Sequence, residues 1–129
     1  MNALQCNLLI IGHKQHGKGT LAKLLKKHFN FSIKGTSIHN AEMMFSLMKD
    51  SHGYSTVDEC YQDRGNHREY WFKKINDYCK DNLSRVIEEI FADNDGCEGI
   101  RNREEFECAK EKNLFDLIIW VDASKRKPL

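Results

Sequence analysis

The sequence predicts an α/β fold with a mainly parallel sheet flanked by helices. Three observations predict it. Leu4–Ile11 and Leu114–Val121 are almost continuously apolar, as strands buried on both faces of a parallel sheet are. Between them lie segments whose apolar residues recur at helical spacing. The two kinds of segment alternate along the chain, which is the order of βαβ units. At 129 residues the chain has the size of one compact domain with a single modest core, so residues 1–129 are read as one domain.

The elements follow in order. After Leu4–Ile11 comes a glycine-rich turn. Leu21, Leu24, Leu25 and His28 then fall at helical spacing with lysines between them. Phe29–Lys34 reads as a second short strand. Ala41, Met44, Phe45 and Met48 mark another helix, whose methionines read as core. Asp50–Thr56, with Ser, His and Gly, reads as a loop. Val57–Lys80 is helical in two pieces. Asn82–Ala92 is the cleanest helix, with Leu83, Val86, Ile87, Ile90 and Phe91 at i, i+3, i+4, i+7 and i+8. Gly96–Ile100 reads as a short strand. Asn102, followed three residues later by Glu105, reads as an N-cap with a capping-box partner, so a helix starts there and runs to about Lys112. Lys125–Leu129 is a basic tail.

Composition excludes several classes. The hydrophobic fraction is 40% and the charged fraction 30%, as in soluble globular proteins. No apolar run approaches the roughly 20 residues that cross a bilayer, so no membrane partner is expected. The N-terminus lacks a basic start and a cleavage site and reads as a strand, not a leader. Five cysteines, with no CxxC, point to reduced thiols and a cytoplasmic setting. A net charge of +1 gives no support for nucleic-acid binding. Lys23, Lys26 and Lys27 read as the solvated face of a helix.

The chemistry sits in the turn after the first strand. Gly12, Gly17, Lys18, Gly19 and Thr20 match G-x4-G-K-G-T. The glycines let the chain turn tightly and bring amide N–H groups to phosphate oxygens. The following helix points its positive end at the same place. Lys18 adds a mobile charge for β- and γ-phosphates. A buried strand before and an amphipathic helix after are the context such a P-loop requires. Gly12, His13, Lys14, Gln15, His16, Gly17, Lys18, Gly19 and Thr20 are therefore the expected ATP-binding residues. The hydroxyl residue that usually follows the lysine and holds Mg²⁺ is displaced, since Gly19 stands there and Thr20 comes next. This GKGT form resembles the loop of adenylate kinases and other nucleoside monophosphate kinases.

A monophosphate kinase must neutralise two polyanions end to end, and arginine suits this because its planar fork grips phosphate oxygens in pairs. Arg64 and Arg68 stand one helical turn apart on a row that continues through Trp71, Ile75 and Tyr78. Arg101 follows the Gly96–Ile100 strand, at a carboxyl end where open α/β sheets bind ligands. Arg103 and Arg126 share that topological argument. Lys18, Arg64, Arg68 and Arg101 are the catalytic candidates. Metal candidates are Asp122, which ends the Walker B-like LIIWVD, and Thr20; Glu98 and Asp95 flank the other strand. The histidines show no zinc-ligand spacing, and His13 and His16 read as shaping the loop.

Four segments carry a family resemblance: GHKQHGKGT, ECYQDRGNHREYWFKKINDYCKD, EGIRNREEFECAK and LFDLIIWVDASKR. Together they resemble the phage-type deoxynucleoside monophosphate kinases of the adenylate-kinase-like P-loop superfamily, over nearly the whole chain. The resemblance implies transfer of the ATP γ-phosphoryl group to a deoxynucleoside monophosphate with Mg²⁺. It implies that Gly17, Lys18, Gly19 and Thr20 cradle ATP and that Arg126 belongs to a closing lid. It implies that Thr36 and Ser37 line the monophosphate pocket with Arg64, Arg68 and Arg101. The host cytoplasm is the implied compartment for a phage-encoded chain.

Such kinases continue past Leu114–Val121 with a lid, a helix and a further strand that helps bind adenine, whereas this chain ends at Leu129. The expectation is a P-loop NTPase fold lacking the last strand of the family. It is read as a shortened form or a fragment, or as a nucleotide-binding interaction protein without catalysis. A sheet edge left open would be covered by pairing with another copy, which makes a homodimer one expected assembly. A GTPase is disfavoured because there is no Asn-Lys-x-Asp motif.

Overall fold

The computed structural model describes residues 6–12, 18–100 and 102–122. Four parallel strands form one sheet in the order β2-β3-β1-β4: β1 is Leu8–Gly12, β2 Ile33–Gly35, β3 Gly96–Glu98 and β4 Leu117–Val121. Among the described residues six α-helices surround it: α1 Lys18–Phe29, α2 Thr36–His52, α3 Val57–Gln62, α4 Arg68–Tyr78, α5 Arg85–Asp93 and α6 Arg103–Glu111. The expected α/β class and parallel sheet are present. Among the described residues no helix is long and apolar enough to cross a membrane.

The core forms where the apolar periodicity is strongest. Leu9 of β1 and Cys97 of β3 are register partners and share one sheet face. Val86, Ile87 and Ile90 of α5 and Ala109 of α6 bury against them, with Phe91, Phe106 and Phe115 at the margin. A second cluster lies between α2, α3 and α4, built from Ala41, Met44, Met48, Cys60 and Trp71. The methionine stripe is therefore core, as its spacing implies. All five cysteines are free thiols. Burial pushes the Cys97 thiol up to about 12, so it packs as an inert apolar group.

Several expectations change. The second strand is Ile33–Gly35, not Phe29–Lys34, because α1 runs to Phe29. Helix α5 starts at Arg85, not Asn82, and Leu83 is 43% exposed. The cause is a polar lock: Asn82 Oδ1 accepts from the Ser84 N–H at 3.2 Å and from its hydroxyl at 3.0 Å. Lys112 then ties the same groups to the end of α6. Helix α2 runs into the start of the expected loop, to His52, and Gly53 at φ 69° closes it in the left-handed conformation. Strand β4 is not buried on both faces. Among the described residues only β1 pairs with it, and Leu117 is 51% and Trp120 55% exposed.

Polar ties fix the helices to each other. Glu89 of α5 accepts from the Tyr78 hydroxyl of α4, pairs with His39 of α2 at 2.8 Å and lies 3.5 Å from Arg85. Among the described residues Glu105 of α6 has no such partner. It lies within electrostatic reach of Cys79 and Cys97, and burial pushes its carboxyl up from 4.5 to about 6. Folding therefore favours its protonated form. The stability this contributes is complete below about pH 4.5 and is lost as pH rises through about 6. Glu105→Gln is expected to raise stability by about 1 kcal/mol at pH 8, allowing for partial solvent access, and to change nothing at pH 4. Urea midpoints at the two pH values check this, and an equal shift at both would contradict it.

Candidate functional site

In a parallel sheet every strand delivers its carboxyl end to the same edge, and each following helix begins there. At this edge stand the starts of α1, after β1, and of α2, directly after β2. Helix N-termini present unpaired amides and a partial positive charge. That of α2 is capped by Gly35, which supplies no side-chain hydrogen bond to its first amides. The start of α6 differs, because Asn102 Oδ1 accepts from the N–H of Glu104 at 2.8 Å and of Glu105 at 3.3 Å. The N-cap read from the sequence is thus present.

The sheet order also creates a crevice. The β1 connection leaves towards β2, and the β3 connection crosses to β4 on the other side of β1. Strands β1 and β3 are therefore neighbours whose connections diverge, the position where α/β sheets bind ligands.

Gly12 closes β1 beside Val121 of β4, its register partner. A Cβ at Gly12 would stand 2.4 Å from the Val121 carbonyl oxygen. The strand-packing contact therefore requires the first glycine of the motif, whatever the loop binds. Lys18 opens α1, and its Nζ donates to the Gly12 carbonyl at 3.0 Å. The lysine thus lies back over the end of β1. Gly19 and Thr20 are exposed in the first turn of α1. Among the described residues a Cβ at Gly19 would meet nothing. His13, Lys14, Gln15, His16, Gly17, Arg101 and Arg126 lie outside the described residues.

Thr36 is buried, and its hydroxyl donates to the Gly99 carbonyl at 3.0 Å. It ties the start of α2 to the turn after β3, while Ser37 beside it is exposed. Glu98 ends β3 between the two helix starts, and its Oε1 stands 2.6 Å from where a Gly35 Cβ would be. Glycine at 35 thus leaves room for that carboxylate at the sheet edge. Asp122 follows β4 and is exposed. Asp95 belongs to the other end: it precedes β3 and accepts from the Ser32 N–H at 2.8 Å. Of the acidic candidates, Glu98 is the one set centrally. Its sequence signal was modest, an acid before Gly99 at the end of a short strand.

The arginine row is broken. Arg68 starts α4 and is exposed, but Arg64 belongs to a separate 3₁₀ turn, Asp63–His67. Gly65 and Asn66 explain the interruption, because both are poor in helix interiors. Asp63 holds this turn, accepting from the Tyr54 hydroxyl and from Asn66 Nδ2, each at 2.5 Å. The Tyr54 bond, first among its contacts, lowers the Asp63 pKa; the Tyr54 hydroxyl is pushed up to about 12. Arg64 turns back, donating to the Tyr61 carbonyl at 2.9 Å and lying over the Tyr61 ring at 3.8 Å. Lys23, Lys26 and Lys27 border a shallow groove with Ser32 at the other end of α1. There the negative end of the helix dipole favours cations.

Among the described residues no three acidic, His or Cys side chains cluster as a metal cage. Comparison with protein-family profiles, with curated proteins and with solved structures gave no match.

Gly12→Ala is expected to cost about 2 kcal/mol or more, because the new methyl overlaps the Val121 carbonyl. Thermal unfolding checks this. An unchanged melting temperature would show that β4 can withdraw from β1 freely.

Proposed function

We propose that this chain is a nucleoside monophosphate kinase that transfers the γ-phosphoryl group of ATP to a (deoxy)nucleoside monophosphate. The observation that carries the reading is the meeting of two helix starts, α1 with Lys18 and α2 with no side-chain cap, at one sheet edge. Strand β3 separates β1 from β2, so the two anion cradles lie about 10 Å apart, two strand spacings. A triphosphate and a monophosphate can bridge that span end to end over Glu98.

In the proposed reaction an oxygen of the acceptor monophosphate attacks the γ-phosphorus. A new P–O bond forms as the bond from the γ-phosphorus to the β–γ bridging oxygen breaks, and two nucleoside diphosphates result. The chain's residues align the phosphates and neutralise charge. Lys18 swings from the Gly12 carbonyl to the β- and γ-oxygens. The amides opening α1 and α2 hold the two phosphate groups. Arg68 and Arg101 are the cations proposed to reach the transferred group, and Arg64 joins them only by leaving Tyr61. Carboxylates such as those of Glu98 and Asp122 suit Mg²⁺, which prefers one or two protein oxygens plus substrate phosphates. When bound it would supply neutralisation of the β- and γ-phosphates.

A second reading is a nucleotide-binding module without turnover. The Arg64 geometry favours it, because a guanidinium stacked on Tyr61 is spent on its own turn. ATP binding without monophosphate binding would select this reading.

Lys18→Ala is expected to lower diphosphate formation at least about 100-fold, the scale of losing one charge-stabilising donor. Its unfolding free energy should stay within about 1 kcal/mol of the parent. Thin-layer assay across the deoxynucleoside monophosphates reads the first, and urea unfolding the second. Retained turnover in the variant would refute the assignment.

A further inference from the structure

At the amino end of the sheet, opposite the edge described above, α1 and the start of β2 border a groove of about 400 Å³. Its shape follows from the way α1 ends. Asn30 takes the left-handed conformation at φ 55°; its N–H donates to the Lys26 carbonyl at 3.0 Å, and the Phe31 N–H donates to the Leu25 carbonyl at 3.3 Å. This closure satisfies the last carbonyls and reverses the chain. Ser32 and Ile33 then form one wall of the groove. That wall is firmly held. The Ser32 N–H donates to Asp95 Oδ2 at 2.8 Å, its hydroxyl donates to Asn94 Oδ1 at 2.6 Å, and its carbonyl accepts from the N–H of Asp95 at 2.8 Å and of Gly96 at 3.0 Å.

The facing wall carries Lys23, Lys26 and Lys27 of α1. All three are exposed, and among the described residues none of them has an ion-pair partner. Lys34 and Lys112, by contrast, pair with Glu42 and Glu88. The helix dipole accounts for cations in the last turn, which holds Lys26 and Lys27, but Lys23 lies a turn earlier. Three ammonium groups at i, i+3 and i+4, within about 6 Å of helix length, repel one another. A bound anion would relieve that repulsion.

We propose that this groove binds a soluble oligophosphate, an anion of two or more linked phosphates, at a site separate from the two cradles. An ammonium is a compact point charge that accepts phosphate oxygens from many directions, and the lining has no arginine fork to select a planar carboxylate. Three cations in a row meet more than one phosphate of a linked chain. Lys26 stands about 12 Å along α1 from Lys18, so one ligand at each end of the helix can bind at the same time. The inference therefore stands independently of the phosphotransfer reading.

The test starts from Lys18→Ala, which weakens the loop as a competing phosphate site. Inorganic tripolyphosphate is titrated at low salt, where exposed charges are least screened. Binding is followed by the amide NMR signals of Ser32 and Ile33, the uncharged wall of the groove. Those signals are expected to shift saturably at millimolar concentration. Adding Lys23→Gln, Lys26→Gln and Lys27→Gln together is expected to weaken binding about tenfold, the scale of three exposed ion pairs. Replacing the exposed Lys73, Lys80 and Lys110 by glutamine removes the same charge elsewhere and should leave binding unchanged. Equal weakening by both triple variants would reduce the site to general charge attraction and overturn the proposal. Unmoved Ser32 and Ile33 signals would overturn it as well, as would lysine-dependent capture by anionic phospholipid vesicles without tripolyphosphate binding.

Discussion

Burial of β1 between β3 and β4 is the constraint on which the rest depends. Leu8, Leu9 and Ile10 are almost wholly withdrawn from water, and both neighbours hydrogen-bond to them in parallel register. Each such side chain contributes roughly 1.5–3 kcal/mol on burial. Once β1 is central, the loop that leaves it must emerge at the edge where β2, β3 and β4 also end. The starts of α1 and α2, Glu98 and the β4 terminus are brought together by that single placement. The approach of β4 then excludes a side chain at Gly12. The motif and the fold thus share a residue, and the same glycine answers to packing before any ligand arrives.

Around this strand the polar groups divide into ties and candidates. Thr36 joins α2 to the β3 turn, Asn102 caps α6, and Glu89 gathers three helices. These bonds are internally satisfied and hold the scaffold. Lys18, Glu98 and the first amides of α2 stand at the sheet edge with little structural demand on them. Gly19 belongs with them. Glycine in the first turn of a helix costs up to about 1 kcal/mol against alanine, and among the described residues nothing occupies the space a side chain would need. A ligand approaching the backbone is a physical reason for that residue.

Much of the fold was legible because period and composition report local structure. The methionine stripe of α2, the apolar face of α5 and the Asn102 cap all read directly from residue spacing. What local pattern cannot carry is which strand lies beside which. LIIWV reads as a doubly buried strand, yet it is an edge, and its exposure follows from the sheet order alone. The same ignorance hid the site. Glu98 and Asp95 look equivalent in sequence, three residues apart, but they stand at opposite ends of β3. Arg64 and Arg68 share a helical row on paper, and the Gly65–Asn66 break turns Arg64 onto Tyr61.

The central claim is that one sheet edge carries two phosphate cradles. A dinucleoside pentaphosphate, which joins donor and acceptor through one continuous phosphate chain, tests it most directly. Binding by calorimetry should be at least about 100-fold tighter than that of ATP, since the second cradle is engaged without a second association cost. It should fall towards the ATP value in Lys18→Ala. Equal affinity for the pentaphosphate and for ATP in the parent chain would mean that only one cradle exists, and would contradict the account.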